Sequence, residues 1–208
     1  MEIDAAQDEI PFLRGGHAAS GTAFVSRAVS GHTWGGSADE LDDLVNPDDI
    51  SHLVVFDTWV RNCDRYPPDL KLRKANYDNV FLADVSEAQR LQLVAMDHTH
   101  CFTCGRDLNA HIARIESVKD DRLYGLFPGF VPAIRQHEVE ACVSRLRELL
   151  APFVADIVAT IPADWQVSAG ARSSLVELIT RRAEFVGDTV SKLIAKVCWR
   201  GKLFDTDR

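Results

Sequence analysis

The chain has 208 residues, of which 46% are hydrophobic and 26% are charged, the composition of an ordinary globular domain. Its formal net charge of −8 argues against broad binding to a nucleic-acid backbone, which needs a basic surface, but it does not exclude a nucleotide whose phosphates are held through a metal ion. No segment approaches the roughly 20 apolar residues of a membrane span, and the acidic start lacks the apolar run of a signal peptide, so we expect a cytoplasmic protein with no direct contact to membrane or nucleic acid.

Glycine and other small residues are frequent near the N terminus, and one segment there has the apolar character of a strand. It covers Thr22–Val29 and is bounded by Gly21 and Gly31. Residues 30–45 follow as a polar loop with an acidic run at 39–43. The sequence therefore predicts one strand before the first helix.

The clearest helix start lies at Asn46. Asn46 is a suitable cap, Pro47 suits the first helical position, and the acidic residues at 48 and 49 complement the positive end of the helix dipole. From Ile50 to Val60 apolar side chains occupy most of the circumference, which is typical of a buried helix. We expect this helix to end near Arg61.

Two short apolar runs then predict a β-hairpin. They are Val80–Leu82 and Leu91–Met96, with the polar segment 83–90 between them. Asp97 comes directly after the second run, so the second strand should deliver this carboxylate at its end.

Beyond residue 105 the apolar residues mainly follow helical spacing. One stretch runs from Val139 to Ile161, and Pro152 inside it either kinks a helix or starts a new one. One or two further helices are predicted between Leu175 and Val197. The predicted fold class is α+β, mainly α, with a small hairpin followed by a C-terminal helical bundle.

Three polar side chains near the hairpin form the pattern that carries chemistry. Asp64 follows the buried helix, Asn79 opens the first strand, and Asp97 closes the second. The antiparallel connection places Asn79 and Asp97 at the same end of the paired strands. Phosphoryl transfer needs such a set, because one carboxylate orients the attacking hydroxyl while a carboxamide oxygen and a second carboxylate hold Mg²⁺ on the nucleotide phosphates.

These motifs resemble those of HipA-like kinases and, more distantly, phosphatidylinositol 3- and 4-kinases. The likeness spans roughly 21–200, and its specific part, 57–102, contains N-x-D-R, an Asn before an apolar strand, and a second strand running into D-H. It implies a Mg²⁺-dependent kinase that transfers the γ-phosphoryl group of ATP to a protein Ser or Thr. It also implies Asp64 as the catalytic carboxylate and Asn79 and Asp97 as metal ligands. Residues 1–30 would be a remnant strand and hinge region beside the adenine, and residues 31–208 a kinase-like C-terminal lobe.

The chain departs from the kinase pattern in two places. The loop Asp and Asn of related kinases are about five residues apart, whereas Asp64 and Asn79 are fifteen apart, so residues 66–75 are interpreted as an insertion and Asn76 is a rival metal ligand. Asn79 is preferred because the apolar strand begins directly after it. No lysine precedes Lys71 and Gly15-Gly16 is too short for a glycine-rich phosphate loop, so the N-lobe is largely absent, replaced, or supplied by a partner chain.

Several residues have alternative interpretations. Arg65 and Asn62 flank Asp64 and are candidates for cofactor binding, but Arg65 could instead pair with Asp64 or hold the loop, and Asn62 could cap the helix end. The run from His98 to Cys104 is compatible with zinc, but a second cysteine pair is absent, and a packed segment with reduced thiols is preferred. The alternative function is a catalytically incomplete lobe that acts as a binding or regulatory partner, with an apolar surface left where an N-lobe would sit.

Overall fold

The computed structural model describes residues 2–3, 20–85 and 90–199 and has an α+β fold. The strands are β1 (Glu2–Ile3), β2 (Gly21–Thr22), β3 (Gly31–Thr33), β4 (Val80–Val85) and β5 (Arg90–Ala95). The helices are α1 (Asp39–Asp42), α2 (Asp49–Val60), α3 (Cys101–Cys104), α4 (Ile115–Val118), α5 (Gln136–Arg147), α6 (Ala151–Ala159) and α7 (Ala169–Cys198), with 3₁₀ turns at Tyr77–Asn79, Pro128–Ala133 and Ala163–Trp165.

The predicted hairpin is confirmed, and it forms two strands of a three-stranded antiparallel sheet. β4 pairs with β5 from Val80 opposite Ala95 to Val85 opposite Arg90. β4 is longer than its apolar run because main-chain pairing continues through Ala83, Asp84 and Val85.

The predicted strand Thr22–Val29 is wrong for most of its length. Only Thr22 of this segment lies in a strand, β2, which pairs with β1. Phe24 is 82% exposed, so no sheet or core gives the apolar pattern a surface to bury against. The strand that joins β4 is β3, inside the segment predicted as a loop. Gly31 is required there, since a Cβ at this position would lie 2.2 Å from the Leu82 carbonyl oxygen.

The predicted buried helix is confirmed as α2, although Asn46 does not act as its cap. The Asn46 side chain instead pairs with the edge of β5: its Oδ1 accepts from Leu93 N at 2.8 Å and its Nδ2 donates to Leu93 O at 3.1 Å. The helix ends at Val60, and Arg61 takes a left-handed conformation with φ 55°. Asn46 therefore fixes the sheet to the start of α2.

The C-terminal helices enclose α2. Pro152 lies in the first turn of α6 and thus starts a new helix after α5. The segment predicted as one or two helices is the single 30-residue helix α7, which packs against α2, α5 and α6. Leu178, Val190 and Ile194 of α7 are fully buried, so this helix supplies much of the core. Within the described ranges, none of the helices has both the length and the apolar character needed to cross a bilayer.

A buried arginine of α7 closes the C-terminal end of α2. The last carbonyl groups of a helix have no partners inside it, and Arg182 donates to two of them, Thr58 O and Trp59 O. Its Nη1 also donates to the carbonyl oxygens of Ser117, Val118 and Asp120. Burial lowers the pKa of Arg182 to about 10, which leaves the guanidinium charged at neutral pH.

We expect Arg182→Met to lower the free energy of unfolding by about 3–5 kcal/mol, because several buried carbonyl groups lose their donor. Urea denaturation followed by circular dichroism measures the change. Arg181→Met is the matched control, since the Arg181 side chain is 43% exposed and pairs with Glu177 on the helix surface. Equal effects of the two substitutions would contradict the role of Arg182.

Candidate active site

The loop after α2 is held by a buried carboxylate. Asp57 Oδ1 accepts hydrogen bonds from Asn62 Nδ2 at 3.1 Å and from Arg65 Nη1 at 2.5 Å. Asn62 Oδ1 in turn accepts from the main-chain N of Asp64 at 3.1 Å. The left-handed Arg61 reverses the chain so that these groups face back toward the helix. This cluster fixes the backbone on both sides of Asp64.

Arg65 connects α2 to the open end of the hairpin. Besides its bond to Asp57, its Nε donates to Asn79 O at 3.1 Å and its Nη2 donates to Met96 O at 2.9 Å. Of the two structural roles that the sequence leaves open, Arg65 takes the second, since it holds the loop and pairs with Asp57 rather than with Asp64. Arg65 and Asn62 are both fully buried, and their polar atoms are engaged, which favours positioning of the loop over direct contact with a cofactor.

Asp64 lies at the centre of the site and accepts from several donors. Its Oδ2 accepts from Asn79 Nδ2 at 2.7 Å and from Asn76 Nδ2 at 3.1 Å. Its Oδ1 lies 3.2 Å from Arg73 Nη1, and His100 Nδ1 lies 3.8 Å from Oδ2. The fold therefore brings the predicted pair Asp64 and Asn79 into direct contact despite the fifteen-residue separation.

The two candidate asparagines differ in their carboxamide oxygens. Asn76 Oδ1 accepts from Asp78 N at 3.2 Å and so closes the turn before β4. Among the described residues, no donor binds Asn79 Oδ1, although the side chain is 4% exposed. The oxygen of Asn79 is therefore the one left for another partner.

Asp97 and Asn79 lie at the same end of the hairpin. Met96 N donates to Asn79 O at 3.3 Å, which extends the β4–β5 pairing by one residue and leaves Asp97 immediately beyond it. Asp97 takes a left-handed conformation with φ 51°. Its Oδ1 accepts from Thr99 Oγ1 at 2.5 Å and from Thr99 N at 3.1 Å. These two bonds lower the pKa of Asp97, so its carboxyl group is ionised at neutral pH.

The donor set at this end of the hairpin fits Mg²⁺. This ion prefers oxygen ligands, and in nucleotide sites it takes one or two from the protein and the remainder from phosphates and water. The Asp97 carboxylate and the free Asn79 carboxamide oxygen are ligands of that kind. No group of three His, Cys, Asp or Glu side chains is arranged for a metal in the part of the chain that the structure describes.

The run His98–Cys104, compatible with zinc by composition, is packed only in part: His98 and Thr99 are exposed, and the residues from His100 to Cys104 are at least partly buried. The His98 ring meets Phe56 edge-on with centroids 5.5 Å apart. Cys101 is buried, and burial raises the pKa of its thiol to about 12.

The sequence alone assigns no role at the site to three residues: Asp57, which holds Arg65, and Arg73 and His100, which face Asp64. Arg73 and His100 reach Asp64 through folding of the 66–75 segment and α3, and no local pattern indicates this. Asp57 carries a weak signal, because an acidic residue on an otherwise apolar helix needs a partner, and Arg65 follows eight residues later.

The second oxygen of Asp57 is unsatisfied. Asp57 Oδ2 is buried and has no hydrogen-bond partner among the described residues. It lies against Gly125, where a Cβ would come within 2.3 Å of it. Burial raises the pKa of Asp57 to about 6, although Arg65 and Asn62 act to lower it.

Comparison with protein-family models, curated proteins and solved structures finds no match to this chain.

We expect Asp57→Asn to change how stability depends on pH. The folded state raises the pKa of Asp57 from 3.8 to about 6, so it binds a proton more tightly than the unfolded chain. The stability contributed by this proton is full below pH 3.8 and is lost as the pH rises through about 6. The stability of the wild type relative to Asp57→Asn should thus fall by about 2 kcal/mol between pH 4.5 and 7.5.

Urea denaturation of both proteins across this pH range measures the difference. Asp84→Asn, at an exposed position on β4, is the control and should leave the pH profile of the wild type unchanged. A difference that grows with pH would show that Arg65 outweighs burial at Asp57.

Proposed function

We propose that this chain is a kinase-like lobe that transfers the γ-phosphoryl group of ATP to a protein Ser or Thr hydroxyl with Mg²⁺. The observation that carries the proposal is the 2.7 Å hydrogen bond between Asp64 and Asn79, with Asp97 at the same end of the hairpin as Asn79. The likeness of the 57–102 segment to HipA-like kinases supports the choice of ATP and of a Ser or Thr acceptor.

Asn79 and Asp97 would hold the metal. The bond from Asn79 Nδ2 to Asp64 turns the carboxamide so that its oxygen remains for a ligand. Thr99 occupies one oxygen of Asp97 and leaves the other. When bound with ATP, Mg²⁺ would neutralise phosphate charge and orient the γ-phosphoryl group.

Asp64 would orient the acceptor hydroxyl. Asn76 and Asn79 hold its Oδ2, and this fixes the carboxylate plane. Its Oδ1 faces Arg73, whose side chain is 36% exposed. We expect the acceptor hydroxyl to take the place of Arg73 on Oδ1 and to donate its proton there. Asn62 and Arg65 would keep the Asp64 carboxylate at the open end of the hairpin.

A binding role without turnover is the second candidate. Phe24, Val25 and Val29 are all more than half exposed and lie in the segment before β3. Apolar side chains in such a row favour a covering partner, which in a kinase-like molecule would be the N-lobe. Such a partner chain would complete the nucleotide site. Alternatively, this chain would perform no chemistry itself and would regulate the partner.

We expect titration calorimetry to show ATP binding to the full chain with Mg²⁺ and none with EDTA. Asp97→Ala should abolish the Mg²⁺-dependent binding because it removes the carboxylate ligand. Asp64→Ala should keep binding but reduce transfer of labelled γ-phosphate to protein by at least about 100-fold, the usual size of a lost acid–base group. Asp84→Ala, at an exposed site on the same hairpin, serves as the control.

The outcomes separate the two candidate functions. Retained transfer in Asp64→Ala would exclude its assigned role, and unchanged binding in Asp97→Ala would exclude the metal site. Mg²⁺-dependent binding without transfer in the wild type would favour the binding role. Complete absence of ATP binding would contradict an autonomous nucleotide site.

A further inference from the structure

Two thiols that are distant in the sequence meet beside Asp64. Cys63 directly precedes Asp64 in the loop after α2, and Cys104 ends α3 with a left-handed backbone at φ 55°. Both thiols line one cavity, and each shifts the pKa of the other. The Cys63 thiol donates to the carbonyl oxygen of His100 at 3.8 Å. Sequence spacing pairs Cys104 with Cys101, so the pairing with Cys63 is a product of the fold.

The surroundings of this thiol pair favour a thiolate at Cys104. The neighbouring Cys63 thiol lowers the pKa of Cys104 to about 6, and nearby arginines lower it further against the effect of burial. The nearness of Cys104 and burial raise the pKa of Cys63, which keeps its proton. The titratable and charged side chains that act on Cys104 are Cys63, Cys101, Arg61, Arg73, Arg106 and Arg122.

The pKa values of the other thiols are shifted in the opposite direction to that of Cys104. All five cysteines lie within the described ranges, and none of them forms a disulfide there. Burial raises the pKa values of Cys101, Cys142 and Cys198. Since the thiolate is the reactive form of cysteine, Cys104 differs from the rest in reactivity at neutral pH.

A small molecule can reach the thiol pair. Cys63 and Cys104 both line a cavity of about 250 Å³, together with Arg73, Arg122 and the apolar side chains of Pro67 and Leu72. Cys104 is only partly buried. The cavity is large enough for a hydroperoxide, and its arginines would stabilise the anion that leaves when the peroxide bond breaks.

We propose that Cys104 and Cys63 form a hydroperoxide-sensitive thiol pair, in which Cys104 is the attacked nucleophile and Cys63 resolves it to a disulfide. The Cys104 thiolate attacks one peroxide oxygen and the O–O bond breaks. Sulfur gains that oxygen as a sulfenic acid, and the second oxygen leaves as hydroxide or alkoxide, which takes a proton from solvent to become water or an alcohol. Cys63 then attacks the Cys104 sulfur, an S–S bond forms, and the sulfenic oxygen leaves as water with the Cys63 proton. Two thiols are oxidised and one peroxide is reduced.

The disulfide would act on Asp64 through Arg73. Arg73 Nη1 lies 3.4 Å from Cys63 Sγ and 3.2 Å from Asp64 Oδ1, so one guanidinium contacts both groups. When Cys63 Sγ forms a disulfide with Cys104, Arg73 loses one of these two contacts. The thiol chemistry does not depend on kinase activity, so it can be tested whether or not the proposed function holds.

The experiment uses the reduced full chain at pH 7 with one equivalent of hydrogen peroxide. Free thiols are then blocked with N-ethylmaleimide and the digested protein is examined by mass spectrometry. We expect peptides linked through Cys63 and Cys104 within one chain, lost again on treatment with dithiothreitol. A Cys101–Cys104 link, a link between chains, or prior oxidation of another cysteine would overturn the proposal.

Variants separate the roles of the two thiols. Cys63→Ser should stop the reaction at the Cys104 sulfenic acid, which dimedone traps, while Cys101→Ser should form the disulfide at the rate of the wild type. In the wild type, the rate of iodoacetamide labelling at Cys104 should reach half its maximum near pH 6. A midpoint above pH 8, or a folded Cys63→Ser protein that gives no dimedone adduct, would contradict the assignment; circular dichroism establishes that each variant is folded.

Discussion

Arg65 is the residue on which the geometry of the candidate site depends. A buried guanidinium is costly unless it is paired and hydrogen-bonded. Here one ion pair with Asp57 and two bonds to the carbonyl oxygens of Asn79 and Met96 satisfy that requirement. The same three bonds fix the distance between α2 and the hairpin. Asp64, the residue before Arg65, is thereby held against Asn79. The geometry of the site thus follows from the bonds that satisfy the buried Arg65 guanidinium.

The last turn of α2 is fixed from two directions. Arg65 binds the Asp57 side chain from the hairpin side, and Arg182 binds the carbonyl oxygens of Thr58 and Trp59 from α7. Helix ends commonly fray because their carbonyl groups lack internal partners, and here two buried arginines supply donors or charge at three consecutive residues. This makes the end of α2 a rigid base for the loop that follows. The contribution of α7 to the site is therefore indirect, through the helix that presents the loop.

Local patterns in the sequence predict the elements well and the long-range partners poorly. The buried helix and the hairpin follow from apolar runs, which depend on near neighbours alone. The segment Thr22–Val29 has the same kind of run but finds no surface to bury against, and so it forms almost no strand. The contact of Asp64 with Asn79 fits the expected chemistry, whereas the pairing of Arg65 with Asp57 and the role of Asn46 on β5 do not follow from spacing. Hydrogen-bond partners brought together by tertiary packing leave no periodic trace in the sequence.

The close approach of Gly125 to Asp57 restricts which sequences this fold can share. Residue 125 has φ 73°, and a Cβ there would meet the carboxylate, so both backbone conformation and space require glycine. Its main-chain N also donates to Tyr66 O at 2.9 Å, next to Arg65. A chain that builds the same buried Asp–Arg pair against this loop therefore needs glycine at this position as well. The acid, the arginine eight residues after it and this glycine thus act as one three-point constraint on any sequence that takes this fold.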